Sequence, residues 1–511
     1  MAPQQLPDCR RTAALSVPQL VHRDPTVAVI GGGIAGLTAA ALLARHCRPV
    51  VLLEAHHQTG GCAGTFRRGP WTFDVGATQV AGLEPGGSHR RVFDLLGQPL
   101  PEATPLDPAC VVDLGDGLAP VRLHRDPAAW QRERLQQFPG SERFWSLCDQ
   151  LHRGNWAFNR RLPPMPPRRP GDLGQILGAL GPASLGNGLL LGATVADLLA
   201  WTVPGDHSRL RRFLDLQLRL YSQLPADRTA ALYGATTLAM GQSPLGLWHL
   251  HGSMQALSHA LEAGLRRWGG ELRLRTRVQR LRPQGQGWIL DLEGPRGEAE
   301  TLPVGQVICT LPPQALPSLL AEQMPPSLTR RIAGFGDPSG AVVLYGAVDR
   351  GALPIDGAGH HQLAGEDPGS LFLSVSSEGD GRAPLGQATL IASLFTPARP
   401  WFDLDAGQVA ARKQTLEAAF VAAIERRWGL APGAWRHREL ATPRAFARWT
   451  GRPWGFVGGL GQSPDRFGPF GLAHRSPLPG LWLCGDSLHP GEGTAGVSQG
   501  AELVVRQLLE G

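Results

Sequence analysis

Close to the start of the chain, "TVAVIGGGIAGLTAAALLARHCRPVVLLEA" (Thr26 to Ala55) restricts the fold more than any other stretch. Thr26 to Ile30 is β-branched and apolar, suited to a parallel strand buried on both faces. It runs into Gly31-Gly32-Gly33-Ile34-Ala35-Gly36, then an alanine- and leucine-rich helix to about Arg45. A second apolar strand, Pro49 to Leu53, ends on Glu54. Strand, glycine loop, helix, strand and acid in this order point to a dinucleotide site. Gly31 permits the tight turn, Gly33 lets backbone approach a pyrophosphate, and Gly36 allows close helix–strand packing. The helix start, with Ala35 in its first turn, offers unpaired N–H groups and a positive dipole end to the phosphates. Glu54 stands where a carboxylate accepts hydrogen bonds from an adenosine ribose, and its charge disfavours a 2′-phosphate.

Composition narrows the rest. At 511 residues the chain exceeds what one core supports, so two or more interleaved domains are expected. The net charge of +6 is carried by arginine, Lys413 being the only lysine, and no basic run is interleaved with aromatics. That pattern argues against a nucleic-acid partner. The seven cysteines show no CxxC spacing and there is no HExxH, so no metal site is expected and a reducing compartment is. The first 25 residues, with an apolar run broken by Pro18, read as a flexible lead rather than a signal peptide.

After Glu54 comes "HHQTGGCAGTFRRGPWTFDVGATQV", with Gly60, Gly61 and Thr65. It resembles the Gly-Gly motif of flavin amine oxidases and phytoene-desaturase-type enzymes, which separates flavin from nicotinamide. The family usually has a basic residue after the glycines; Cys62 stands there instead. A second glycine loop closes the chain, "LWLCGDSLHPGEGTAGVSQGAELVV" (Leu481 to Val505). A short strand ends on Gly485-Asp486, and Asp486 is placed to accept hydrogen bonds from ribityl hydroxyls. Gly493, Thr494, Ala495 and Val497 open the last helix, whose positive end suits the pyrimidine edge of an isoalloxazine. One loop then holds the phosphates of FAD and the other its ribityl chain and ring.

These motifs, with "HLHGSMQALS", "TPRAFARWTGRPWGFVGG" and "GDSLHPGEGTAGVS", resemble the carotenoid desaturase and isomerase family, most closely the carotenoid C-3′,4′ desaturases. The resemblance runs from about Val27 to the C-terminus. It implies an α/β fold: a glutathione-reductase-type FAD-binding Rossmann domain interleaved with an α+β substrate domain. The expected division is FAD domain at 26–110, 249–315 and 478–511, and substrate domain at 111–248 and 316–477. It also implies a backbone contact to adenine near Val278.

The implied activity is FAD-dependent desaturation of an acyclic or monocyclic carotenoid, with hydride transfer to flavin and a quinone or oxygen as reoxidant. Carotenoid isomerisation without net oxidation is one alternative, and a flavin amine oxidase-like reaction another. His249 and His251 are candidates for the base that takes the second hydrogen as a proton; Asp74 and Glu492 are weaker ones. A polyene needs a route from the bilayer. Leu173 to Ala196 is uncharged, but six glycines, with Pro182 among them, argue against a spanning helix. Flanked by Arg160, Arg161, Arg168, Arg169, Arg209, Arg211 and Arg212, the segment at about 160–215 reads as a monotopic dock of broken helices. The expected location is the cytoplasmic side of a plasma or photosynthetic membrane.

Overall fold

Strand Val27–Ile30 is buried throughout because it has a parallel neighbour on each side and a covered face above and below. In the computed structural model, which describes residues 26–242, 245–354 and 359–510, it is the centre of a five-stranded sheet. The order is Leu481–Leu483, Gln306–Cys309, Val27–Ile30, Val50–Leu53 and Glu271–Arg273, all parallel. The 1–25 lead lies outside the described residues.

Alternation along the central strand assigns the two faces. Val27 and Val29 pack with helix Ile34–Arg45, flanked by Gln255–Arg267 and the last helix, Thr494–Leu509. Ala28 and Ile30 face a core built with the antiparallel strands Arg277–Gln284, Gly287–Glu293 and Ala299–Val304. Parallel neighbours cannot be joined by tight hairpins, so the sheet collects strands from widely separated parts of the chain.

A second sheet of seven strands runs Trp435–Ala441, Gly340–Asp349, Gln387–Thr396, Leu371–Val375, His360–Leu363, Val111–Asp113 and Val121–Arg122. It is antiparallel except where His360–Leu363 meets Val111–Asp113. One face carries helix Ala406–Trp428 through Phe420 and Ile424. A helical layer around Trp130, Phe144, Trp145 and Phe213 forms another core, drawing on Glu142–Asn159, Ser208–Ser222 and Ala231–Gly241.

The glycine-rich run at 173–196 breaks into helix Pro170–Ala179, helix Pro182–Leu185 and a 3-10 turn, Gly186–Leu190. Among the described residues, no helix is long and apolar enough to cross a membrane. Cys47 is disulfide-bonded, a link the cysteine spacing did not announce.

The two halves are joined by a buried ionic knot. Arg382, 5% exposed, donates to Asp380 at 2.8 Å and to Asp74 at 3.2 Å. Asp74 also accepts from Thr65 Oγ1 (3.0 Å) and Met254 N (2.8 Å), tying the hairpin after the Gly-Gly motif to helix Gln255–Arg267. Burial works against the Asp380 carboxylate, yet His249 and Arg382 outweigh it and hold its pKa at about 2. Removing the guanidinium strands two carboxylates in a dry setting. Arg382→Met should therefore cost about 3–5 kcal/mol of stability, read as an earlier urea midpoint at unchanged slope.

Candidate functional site

Both glycine loops leave the carboxyl edge of the parallel sheet, the end at which open α/β sheets bind ligands. Gly31 turns at φ +99°, and a methyl at position 36 would lie 1.9 Å from Gly31 O, so helix and strand close only around Gly36. Gly60 N donates to Gly32 O at 2.9 Å, seating the Gly-Gly turn on the first loop. Gly61, at φ +56°, comes within van der Waals reach of Gly33. Beside Gly33 and Gly493 the space is open: a methyl on either would meet nothing within 4 Å. Helices Ile34–Arg45 and Thr494–Leu509 lie side by side, Thr38 Oγ1 standing 3.3 Å from Ser498 Oγ. Neither has a side-chain cap or an acidic residue in its first turn. Ala35, Thr494, Ala495 and Val497 thus belong to two helix starts whose N–H groups have no side-chain acceptor.

Glu54 lies at the wall of a cavity of about 830 Å³, together with Gly61, Thr65, Tyr345, Phe446 and Trp449. Its carboxylate accepts from Gly32 N (2.6 Å) and His56 N (2.7 Å). Burial pushes the Glu54 carboxyl up, opposed by these N–H groups and by Arg277. Each oxygen keeps acceptor capacity for a ribose hydroxyl. The stretch leading to Val278 runs alongside, Thr276 N donating to Glu54 O at 2.9 Å, and the ladder is irregular between Val278 and Arg280. Thr65 gives its hydroxyl to Asp74.

At the other loop, Gly485 turns at φ +131° and Asp486 meets Arg452 at 2.8 Å. Arg452 also donates to Gly458 O at 2.7 Å, and its Nε is buried without a partner. Burial alone would lower the guanidinium pKa, but Asp486 and Cys62 raise it. Arg452 was not singled out from the sequence. The signal available was its turn, in which Trp454 takes φ +55° and Gly455 and Gly458 are also left-handed. Beyond Asp486, Glu492 Oε2 accepts from Gly459 N at 2.9 Å, and its two oxygens lie 3.4 and 3.2 Å from Gln223 Nε2. Burial pushes the Glu492 carboxyl up to about 8, and the Asp486 charge adds to the rise.

The two histidines named as candidate bases have other work. His249 Nε2 lies 2.9 Å from Asp380 Oδ2 and 2.9 Å from Arg382, inside the ionic knot. His251 is exposed, 2.7 Å from Thr104 Oγ1 at the rim of a two-stranded ladder. Neither lines the cavity beside Glu54, although Gly252 and Ser253, next to His251, do.

Comparison with known proteins decides the class. The flavin-containing amine oxidoreductase model matches residues 34–509. The chain belongs to that family. Along its length it is 24% identical over 503 residues to the chloroplastic prolycopene isomerase of Arabidopsis thaliana, covering 92% of this chain and 80% of that one. All-trans-retinol 13,14-reductase of Danio rerio is 24% identical over 272 residues, 51% of this chain and 43% of that one. Among solved structures, putrescine oxidase bound to putrescine superposes with a TM-score of 0.62 at 17% identity, covering 95% of this chain and 98% of that one. Cyclohexylamine oxidase from Brevibacterium oxydans gives 0.59 at 18%, covering 95% and 100%. These similarities place the chain in the FAD-dependent amine oxidase fold.

This flavin oxidoreductase is an FAD-dependent enzyme, and its residues suit the cofactor. Open space beside Gly33 and Gly493, two uncapped helix starts and the orphaned Nε of Arg452 are what an anionic, hydroxylated molecule would satisfy. Gly31, Gly33, Gly36, Gly60 and Gly61 would surround the pyrophosphate, Glu54 the ribose, and Gly485-Asp486 the ribityl chain. Asp486→Ala removes the partner of Arg452 and would remove a ribityl acceptor. Loss of a buried hydrogen bond costs about 1–3 kcal/mol, so the FAD dissociation constant should rise about 5- to 150-fold. Asp405 caps helix Ala406–Trp428 through Gln408 N at 2.8 Å. Asp405→Ala should cost about 1 kcal/mol of stability and leave FAD affinity alone. Flavin fluorescence titration of both apoproteins reads the difference; equal affinities would remove Asp486 from the site.

Proposed function

We propose that this oxidoreductase acts on a lipophilic polyene, and that its reaction is desaturation of an acyclic or monocyclic carotenoid at the C-3′,4′ bond. The observation that carries the reading is a second cavity, about 810 Å³, lined by Leu216, Leu220, Leu371, Phe372, Leu394 and Phe395. Its wall includes Gln223, which hydrogen-bonds Glu492 of the C-terminal glycine loop, so this cavity is linked to that loop. The wall is mixed: the charged Arg219, Asp337 and Arg399 and the side chains of Gln362, Ser370, Ser393 and Thr396 stand among the leucines and phenylalanines. Two relatives are named for polyene chemistry, a prolycopene isomerase and a retinol reductase. The division into FAD-binding and substrate portions at about 110, 248, 315 and 477 is part of the same proposal.

FAD supplies an acceptor for a hydrogen with two electrons. The protein's task is to hold one carbon–carbon bond beside it and keep the remaining conjugated chain apolar and dry. Leu216, Leu220 and Phe372 would supply the apolar part of that hold. A quinone or oxygen would reoxidise the enzyme. Isomerisation without net oxidation is the second reading, favoured by the match to prolycopene isomerase along 92% of this chain. Oxidation of an amine, the third, would need a polar anchor for the amine; Asp337 lies in the same wall but is paired with Arg399.

The route from the bilayer belongs to this proposal. Leu173, Leu177, Leu185, Leu189 and Trp201 are all exposed, Leu189 to 90%. They come from short helices whose glycines meet no neighbouring atoms, and Arg160, Arg168 and Arg169 are exposed at the N-terminal edge. Clustered apolar exposure with a basic edge suits insertion among acyl chains and contact with anionic headgroups. Arg209 and Arg211 contribute less than the sequence suggested, being paired with Asp116 and Asp215. Location at the cytoplasmic side of a membrane follows from this reading.

Incubating the purified holoenzyme with acyclic and monocyclic carotenoids in detergent should give a product two hydrogens lighter, with its absorption shifted to the red. An isomer of unchanged mass would establish the second reading, and conversion of amines alone would overturn both. The holoenzyme should also sediment with anionic liposomes and partly leave them as salt rises. Arg168→Ser with Arg169→Ser should weaken that binding by about 1 kcal/mol per charge with FAD content unchanged. Indifference to liposomes would assign the exposed leucines another role.

A further inference from the structure

Glu492 occupies a position that the expected cofactor contacts do not explain. It follows Gly491 in the C-terminal loop, six residues past Asp486, and precedes the open start of helix Thr494–Leu509. Its side chain meets Gln223, which lines the second cavity. The Glu492 carboxyl is therefore linked to the proposed substrate space through the Gln223 amide.

The surroundings are arranged around this contact. Gln223 ends helix Ser208–Ser222 in the left-handed region at φ +63°, a conformation a non-glycine residue holds only when its neighbours enforce it. A methyl at position 458 would lie 2.4 Å from Glu492 Oε2 and 2.6 Å from Gln223 Nε2, so glycine there makes room for the pair. Gln223 Oε1 is buried without a partner. An amide in this setting serves both protonation states of its neighbour. Its NH₂ donates to the carboxylate, and turned over, its oxygen accepts from the carboxyl O–H. The other ionisable groups around Glu492 are Asp486, Arg452 and Tyr233, from the same loop, the preceding turn and helix Ala231–Gly241. Asp486 and Arg452 are paired with each other, and the Tyr233 hydroxyl donates to Tyr221 O at 2.9 Å. Glu492 is thus the group in this set left to take up or release a proton.

We infer that Glu492 is the catalytic acid–base of this enzyme, exchanging a proton with a substrate carbon where the C-terminal glycine loop meets Gln223 of the second cavity. The inference rests on the polyene reading for its substrate. In desaturation, bound FAD would supply the acceptor for one carbon's hydrogen with its two electrons. The adjacent carbon loses a proton to the Glu492 carboxylate, and the electrons of that second C–H bond become part of the new double bond. Glu492 then releases the proton to solvent, so atoms and charge balance. The raised pKa of about 8 suits the role, because a stronger base takes a proton from carbon more readily.

Glu492→Gln keeps the shape and the neighbours but cannot exchange the proton. The Gln holoenzyme should retain FAD at the wild-type ratio and lose turnover by about 100-fold or more. Glu492→Asp, which restores a carboxyl at shorter reach, should recover part of it. Wild-type turnover should rise with pH through about 8, and the residual turnover of the Gln variant should be flat. Turnover of the Gln variant within about threefold of wild type, or an unchanged pH profile in it, overturns the assignment. A titration without substrate separates this from the polyene reading. The absorbance of bound oxidised flavin should shift with a step near 8 in wild type and show none in the Gln variant. Absence of the step in wild type, or its persistence in the variant, overturns the assignment whatever the substrate. Failure of wild type to convert any polyene, with the step behaving as expected, removes the polyene reading alone.

Discussion

Two helix starts left without caps, side by side at the carboxyl edge of one parallel sheet, are the constraint on which the rest depends. Unpaired N–H groups at a helix terminus must be met by side chain, water or ligand. Here Gly33 and Gly493 carry no side chain to meet them, and no acidic residue stands in either first turn. Close packing fixes the loops around these ends: Gly36 is pressed against Gly31 O, and Gly60 is bonded to Gly32. A long anion with a hydroxylated middle answers both helix ends at once, which is why an FAD-dependent family uses this sheet.

Around that edge the molecule spends its buried charge in two different ways. In the knot of Arg382, Asp380, Asp74 and His249, opposite charges are matched and hydrogen-bonded, so Asp380 stays ionised and the group acts as a fastening between layers. At the C-terminal loop the match is incomplete. Arg452 is spent on Asp486, which leaves Glu492 with only a backbone N–H and an amide. The same cost of desolvation that the knot offsets therefore falls on Glu492 and lifts its pKa. A rigid structural network and a carboxyl able to change its protonation state arise from one physical rule applied to two partner sets.

Local pattern was enough for the elements that hold the cofactor. The β-branched runs ending at Ile30 and Leu53, the helix to Arg45 and the last helix from Thr494 to Leu509 are legible because parallel strands buried on both faces must be continuously apolar. The glycines were legible for a related reason, since a turn at φ +99° or a 1.9 Å approach admits nothing larger. Glu54 could be placed because one short βαβ unit sets its distance from Gly31.

What tertiary structure alone decided is which distant side chains share a space. No spacing in the sequence links Arg452 to Asp486, or Gln223 to Glu492, because a turn before the last strand and a helix end from the other layer bring them together. For the same reason His249 and His251 read as candidate bases when seen beside a flavin motif, though one is locked to Asp380 and the other faces solvent. Covalent neighbourhood determined the strands, turns and cofactor loops of this protein. Its ionisation states, its second cavity and the raised carboxyl of Glu492 depend on dielectric surroundings that exist only after the layers have packed.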